Sequence, residues 1–212
     1  MSTFQYTEMI TEMEKRKYTL RQRAAKQEET RARIVEAAML LHEELGPRAT
    51  TISAVAERSG VQRLTVYRHF PDESALFEAC TGHWFGLHPP PDPAEWQALE
   101  TPPERLRGAL SALCRYYRGT APMWRGAYRD LAQVPALAAP MARFEAYLAS
   151  IRDELMAGLG TEAQDALLRA SLAHLLRFGT WDSLQREGLD DDTIAGLGSR
   201  WVACLTAAGD HS

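Results

Sequence analysis

The chain has 212 residues, 45% of them apolar, enough to bury a sizeable core, and a formal net charge of −4. No apolar run reaches the roughly 20 residues of a membrane span, and no signal-peptide pattern opens the chain, so the expected location is the cytoplasm, away from membranes. Cys80, Cys114 and Cys204 are odd in number and widely spaced, which argues against a disulfide framework or a Cys-x-x-Cys metal site and reads as buried thiols.

Charge is unevenly placed. Residues 13–70 hold twelve Lys/Arg against seven Asp/Glu, a net +5; the rest of the chain holds twelve against twenty-one, a net −9. A basic front and an acidic rear suggest an anion-binding module on a separate regulatory body.

Residues 1–12 lack strong periodicity: either they are a loose lead or Met13 is the start. Between Lys15 and Lys26 stand six bases and no acid, either a solvated face or an arm that lies along phosphates. Residues 1–27 thus read as a partly flexible basic arm. A helix is predicted from about Glu28 to Leu45, with Ile34, Ala38, Leu41 and Leu45 on one face and Gly46-Pro47 as its stop. Thr51 can cap a second helix, Ile52 to Ser59, ended by Gly60 in the left-handed conformation. A third spans about Arg63 to Phe70. Asp72 caps a fourth, which places Leu76, Phe77, Cys80 and Trp84 on one face.

The proline-rich stretch from Leu87 to Trp96 reads as a hinge. Thr101-Pro-Pro-Glu104 is a capping box, and Pro122 is expected to start a further helix through Val134. Another helix follows Pro140. Thr161-x-x-Gln164 is expected to cap a long helix through about Glu187, and Asp190-Asp191-Asp192 to open the last. No strand pattern or repeat is present. The expected fold is all-α, with nine or ten helices: a three-helix helix-turn-helix domain over residues 28–75 and a helical bundle over 76–212.

The segment from Thr51 to Phe70 carries the functional signal. Two short helices crossing steeply need a small residue at the contact (Ala56), a strain-free turn four positions on (Gly60) and an apolar anchor six further on (Val66). That spacing leaves the outer face of the second helix free to enter a major groove. The run TTISAVAERSGVQRLTVYRHFPDESALFEA resembles the DNA-binding domain of TetR-family transcriptional repressors, most specifically in Gly-Val-x-x-x-Thr-Val-Tyr-x-His-Phe, Gly60 to Phe70. Arg177 to Leu189 resembles the family more weakly.

The resemblance implies a homodimer on double-stranded DNA, at a palindromic operator, released by a small effector. It puts Thr51, Thr65, Tyr67 and His69 at phosphate-contacting positions and Arg63 and Leu64 where base edges are read, with Ser53 an occasional base contact. Gln62 stands where the family has a capping serine, and Glu73 where it has a phosphate-contacting lysine. The bland alternatives are that Tyr67 packs in the small core, His69 is a satisfied core histidine and Arg63 is plain surface; Arg68 reads as a surface or salt-bridge residue. In the rear body, Trp84, Tyr117, Trp124, Tyr128, Phe144, Arg177 and Trp181 are candidate ligand contacts, for a lipophilic or aromatic effector. Leu168, Leu172, Leu175, Trp201 and Leu205 are candidates for the dimer interface. His174, alone on an apolar helix, reads as structural.

Enzyme signatures are missing. His42-Glu43 lacks a second histidine, position 46 being Gly46; no Gly-x-Ser-x-Gly elbow occurs, and Gly196-x-Gly198 has no third glycine. The reading is a non-enzymatic regulator without cofactor or metal. Activation, or effector-independent binding, is the alternative to repression.

Overall fold

The computed structural model describes residues 3–159 and 166–209, and side chains over 16–159 and 166–207. In chain order the helices are α1 (Thr3–Leu45), α2 (Ile52–Ser59), α3 (Arg63–His69), α4 (Glu73–Leu87), α5 (Ala94–Gln97), α6 (Pro102–Asp130), α7 (Ala138–Gly158), α8 (Ala166–Leu175), α9 (Phe178–Arg186) and α10 (Asp191–Gly209). Short 3-10 turns stand at Pro47–Ala49 and Pro135–Leu137. The described residues contain no strand.

Caps account for several boundaries. Gly46, at φ +91°, ends α1 and donates to the His42 carbonyl. The Asp72 carboxylate accepts from Ala75 N–H at the start of α4, and Asp190 does the same for Thr193 at the start of α10. Thr101 and Glu104 form the reciprocal capping box of α6.

Other boundaries depart from the sequence expectation. α1 begins at Thr3 rather than near Glu28, so the basic arm is the first half of one 43-residue helix. Leu45, expected in its apolar face, is exposed. Pro122 does not start a helix; α6 runs through it. A mid-helix proline costs about 3 kcal/mol, but Ala121 and Trp124 on either side are buried, and one buried large side chain is worth a comparable amount. The stretch from Leu87 to Trp96 is not a free hinge. Its end folds as α5, which packs on α6 with Trp96 fully buried, and Gly108 leaves room for it: a Cβ there would lie 3.0 Å from that of Trp96.

The long helix expected through Glu187 is two helices, α8 and α9, and the proposed cap at Thr161 and Gln164 lies outside the described residues. Tertiary partners explain the break. The Tyr117 hydroxyl donates to the Leu176 carbonyl at 2.7 Å, the Thr180 hydroxyl donates to the His174 carbonyl, and Leu176 itself is buried. These bonds replace the helical ones that the break removes. Cys80 and Cys114 are buried as expected, whereas Cys204 is exposed, and so is His174, which is therefore not a core histidine.

α6 forms the centre of the body, in contact with α10, α5, α1, α7 and α9. The front end attaches to it at one tight junction. Arg48 N–H donates to the Asp130 carboxylate at 3.0 Å, and Arg129 donates both to Asp130 and to the Leu45 carbonyl. A Cβ on Gly46 would fall 1.8 Å from the Arg129 guanidinium, so only glycine fits there.

Candidate nucleic-acid interface and ligand cavity

The exposed end of the front module is α3. Its attachment begins at Thr51, whose hydroxyl accepts from Ala54 N–H at 3.2 Å and so sets the start of α2. Gly60 then turns the chain at φ +67°, with Val61 N–H donating to the Ala56 carbonyl. That turn drives Val66 into the small core with Ile52, Val55, Ala56 and Phe70, all buried. Val66 is the one buried residue of α3. Arg63, Leu64, Tyr67 and Arg68 are exposed, with 59% of Leu64 and 41% of Tyr67 open to solvent, while Thr65 and His69 are half-buried. Neither Tyr67 nor His69 is fully enclosed in the small core. Ser53 and Gln62 are exposed too, and the Gln62 side chain makes no capping bond.

Two charges nearby are already committed. Arg58 makes a bidentate pair with Glu44, at 2.6 and 2.7 Å, and that pairing holds the Glu44 carboxyl below its usual range. Arg31 lies over the Phe70 ring, 5.0 Å from its centroid, tying α1 to the end of α3. Arg68 makes no ion pair among the described residues. Instead it faces the arm: a cleft of about 720 Å³ between α1 and α3 is lined by Arg23, Lys26 and Arg31 on one side and by Thr65, Arg68 and His69 on the other. Helical continuity brings the arm's cations to the flank of α3, a placement that depends on α1 being unbroken and that periodicity did not reveal.

Behind this module the candidate ligand residues split into three groups. Trp84, Tyr117, Trp124, Tyr128, Phe144 and Trp181 form one connected set of ring contacts, with Trp124 and Phe144 only 4.2 Å apart. Tyr117, Phe144 and Trp181 are core: Tyr117 donates to Leu176, and the Trp181 indole donates to Asp191 at 3.0 Å. Tyr128 and Arg177 border an open cleft beside Asp182. Trp84 and Trp124 alone of the seven line an apolar cavity of about 50 Å³. Its other walls include Met39 and His42 of α1, Phe77 and Cys80 of α4, and Met123 and Met141 of the body. The sequence reading missed His42 as a wall residue, although its four-residue spacing from Ala38 placed it on the buried face of α1.

His42 and Cys80 touch, Nδ1 to Sγ at 3.3 Å. Burial lowers the imidazole to about 4 and raises the thiol to about 12, so both are uncharged at neutral pH. The dimer candidates also divide. Leu168 and Leu172 are fully buried inside the chain, against α7 and α10, and cannot face a second copy. Leu175 and Leu205 are half-buried, and 41% of Trp201 is exposed; Leu167, not among those candidates, is 64% exposed.

A helix-turn-helix whose outer helix is exposed and flanked by cations, carried on a helical body, has the geometry that enters a DNA major groove. Residues 34–80 match the model of bacterial regulatory proteins of the tetR family. The chain is similar in fold to a transcriptional regulator from Pseudomonas aeruginosa PAO1, at 18% identity and TM-score 0.63, over 85% of this chain and 91% of that one. A TetR-like transcriptional regulator from Rhodococcus sp. RHA1 matches at 18% identity and TM-score 0.62, over 84% and 96%. A fatty acid metabolism regulator from Clostridium perfringens matches at 16% and 0.58, over 79% and 94%. No curated protein matches the chain. Residues 34–80 thus match the tetR-family model, and the chain as a whole shares the fold of these solved regulators.

Proposed function

We propose that the protein is a cytoplasmic homodimeric repressor that binds a palindromic operator through α3 and releases it when a small lipophilic or aromatic effector enters the body. The observation that carries the effector half is the composition of the cavity wall. α1 and α4, which hold the DNA-binding module, supply one side, and α6 and α7 the other. An occupant therefore presses directly on the elements that set the position of α3.

On DNA, Arg63 is placed to fork onto a guanine and Leu64 to touch a thymine methyl. Thr51, Thr65, Tyr67 and His69 hold phosphates, Ser53 and Gln62 lie at the rim of the same surface, and Arg68 with Arg23 and Lys26 brackets the strand beside it. A dimer built on Trp201, Leu205 and Leu175, extended by Leu167, sets two copies of α3 about 34–36 Å apart, one turn of DNA. A shift of α4 alters that distance. Coupling of about 1–3 kcal/mol changes operator affinity about 5- to 150-fold.

Selection of bound fragments from random duplex DNA tests the reading. A palindromic consensus with half-sites one helical turn apart is the expected outcome, followed by its release with members of a lipophilic compound set. Recovery of unrelated sequences only, or a strictly monomeric species on DNA, would remove it.

A further inference from the structure

We propose that the cavity between α4 and α6 takes an uncharged aromatic molecule bearing a hydrogen-bond acceptor, held by the indole N–H of Trp84. This inference rests on the effector reading above and narrows the chemical class of the occupant.

Three observations converge. Trp84 is 4% exposed and its indole N–H has no acceptor among the described residues; the N–H of Trp124, a residue 3% exposed, lies beside the Tyr116 hydroxyl. Both rings line the cavity, edge to face, with centroids 5.8 Å apart. Buried donors are nearly always satisfied, so the orphan Trp84 N–H at a cavity wall marks a place for an acceptor. Second, the walls hold no Asp, Glu, Lys or Arg. His42 is neutral and engaged with Cys80, whose thiol stays protonated, so a charged occupant would meet no counter-charge. Third, most of the wall is aromatic, aliphatic and thioether surface, with Thr81 its one hydroxyl residue, which favours a flat apolar body.

Size links this chemistry to regulation. The cavity is about 50 Å³, a third of the roughly 150 Å³ that accommodates benzene in an engineered protein cavity. Entry therefore requires Met39, Met123, Met141 and Phe85 to give way. The unbranched methionines do so readily, and what they cannot absorb moves α4 against α6.

Calorimetry and thermal unfolding of the full chain with two matched probe sets decide the matter: ethylbenzene, acetophenone and benzoate; naphthalene, 2-acetonaphthone and 2-naphthoate. In at least one set the ketone is expected to bind about tenfold tighter than its hydrocarbon, and the carboxylate to show no binding. Trp84→Phe should bring the ketone down to the hydrocarbon's affinity while leaving the hydrocarbon within about twofold; Trp124→Phe serves as the second variant. If neither variant folds, the wild-type order of the three probes still decides. Equal binding of ketone and hydrocarbon, or preference for the carboxylate, overturns the proposal. A charged compound that frees the operator while no ketone binds overturns the proposed class and leaves the effector reading standing. No stabilisation and no operator release by any compound removes both.

Discussion

The side chains of α3 divide by what they can reach. Arg63 carries a planar donor fork on an exposed helix, suited to the two acceptors of a guanine edge, whereas Tyr67 offers a single hydroxyl suited to a phosphate. Arg63→Ala is expected to relax preference at one base pair per half-site by about 1–3 kcal/mol. Tyr67→Phe, which removes one hydroxyl, should weaken binding to all sequences alike by about 0.5–1.5 kcal/mol. Binding to a panel of single-base operator variants separates the two, and identical profiles would refute the division. Asp130 is a different kind of residue, invisible to motif reading. Arg129 holds its carboxyl below the usual aspartate range, and it also accepts from Arg48 N–H across the junction. A carboxylate so depressed stabilises the fold above the ordinary aspartate range, and that contribution fades only as the pH falls through its lowered value. Asp130→Ala orphans Arg48 N–H and should cost about 1–3 kcal/mol in denaturant unfolding at neutral pH.

At the scale of the element, α1 matters most. Thirteen residues from Arg16 to Glu28 span roughly 20 Å at 1.5 Å per residue. They carry Arg16, Lys17, Arg21, Arg23 and Lys26, all exposed, of which Arg23 and Lys26 line the cleft beside α3. Replacing these five by glutamine is expected to reduce the slope of log K against log salt by about 0.9 for each phosphate no longer neutralised, with the operator consensus unchanged. An unaltered slope would mean that the cations are a solvated face. The helix itself was only half legible. From Glu28 to Leu45 a buried stripe announces it, but residues 16–28 are exposed throughout and have no buried face to produce a period. Its helical state follows from propagation of an established helix, which is far easier than nucleation. α8 and α9 teach the converse: no glycine or proline marks their break, because the Tyr117 and Thr180 hydroxyls that make it come from a distant helix and from the following turn.

The whole molecule shows its state through assembly and pH. Trp201→Asp should shift the chain towards monomer in sedimentation and weaken operator binding, because an exposed apolar ring at the proposed two-fold contact would become a desolvated charge. An unchanged sedimentation profile would place the interface elsewhere. His42 makes the fold acid-sensitive. Its folded value, about 4, lies below the ordinary 6.5, so the unfolded chain binds the extra proton first. Stability therefore falls as pH drops from about 6.5 towards 4, by up to about 3 kcal/mol from this residue. His42→Phe should flatten that part of the profile in thermal unfolding measured across pH. The His42 effect arises at the cavity where α1, α4 and α6 meet, whereas Trp201 acts from the exposed side of α10.

Read alone, the amino-acid order determined the all-α class, the caps at Thr51, Asp72 and Thr101, the left-handed turn at Gly60 and the inward anchor Val66 that leaves α3 open. These are local: each depends on residues within a few positions, where spacing and side-chain chemistry are enough. Tertiary structure decided the rest. It buried Leu168 and Leu172 inside the chain, carried α6 through Pro122, joined Gly46 to Asp130 across 84 positions, and set Trp84 beside Trp124 at a cavity wall. Those outcomes depend on which surfaces meet after the chain has packed, and burial, unlike helical period, is a property of pairs of elements rather than of one.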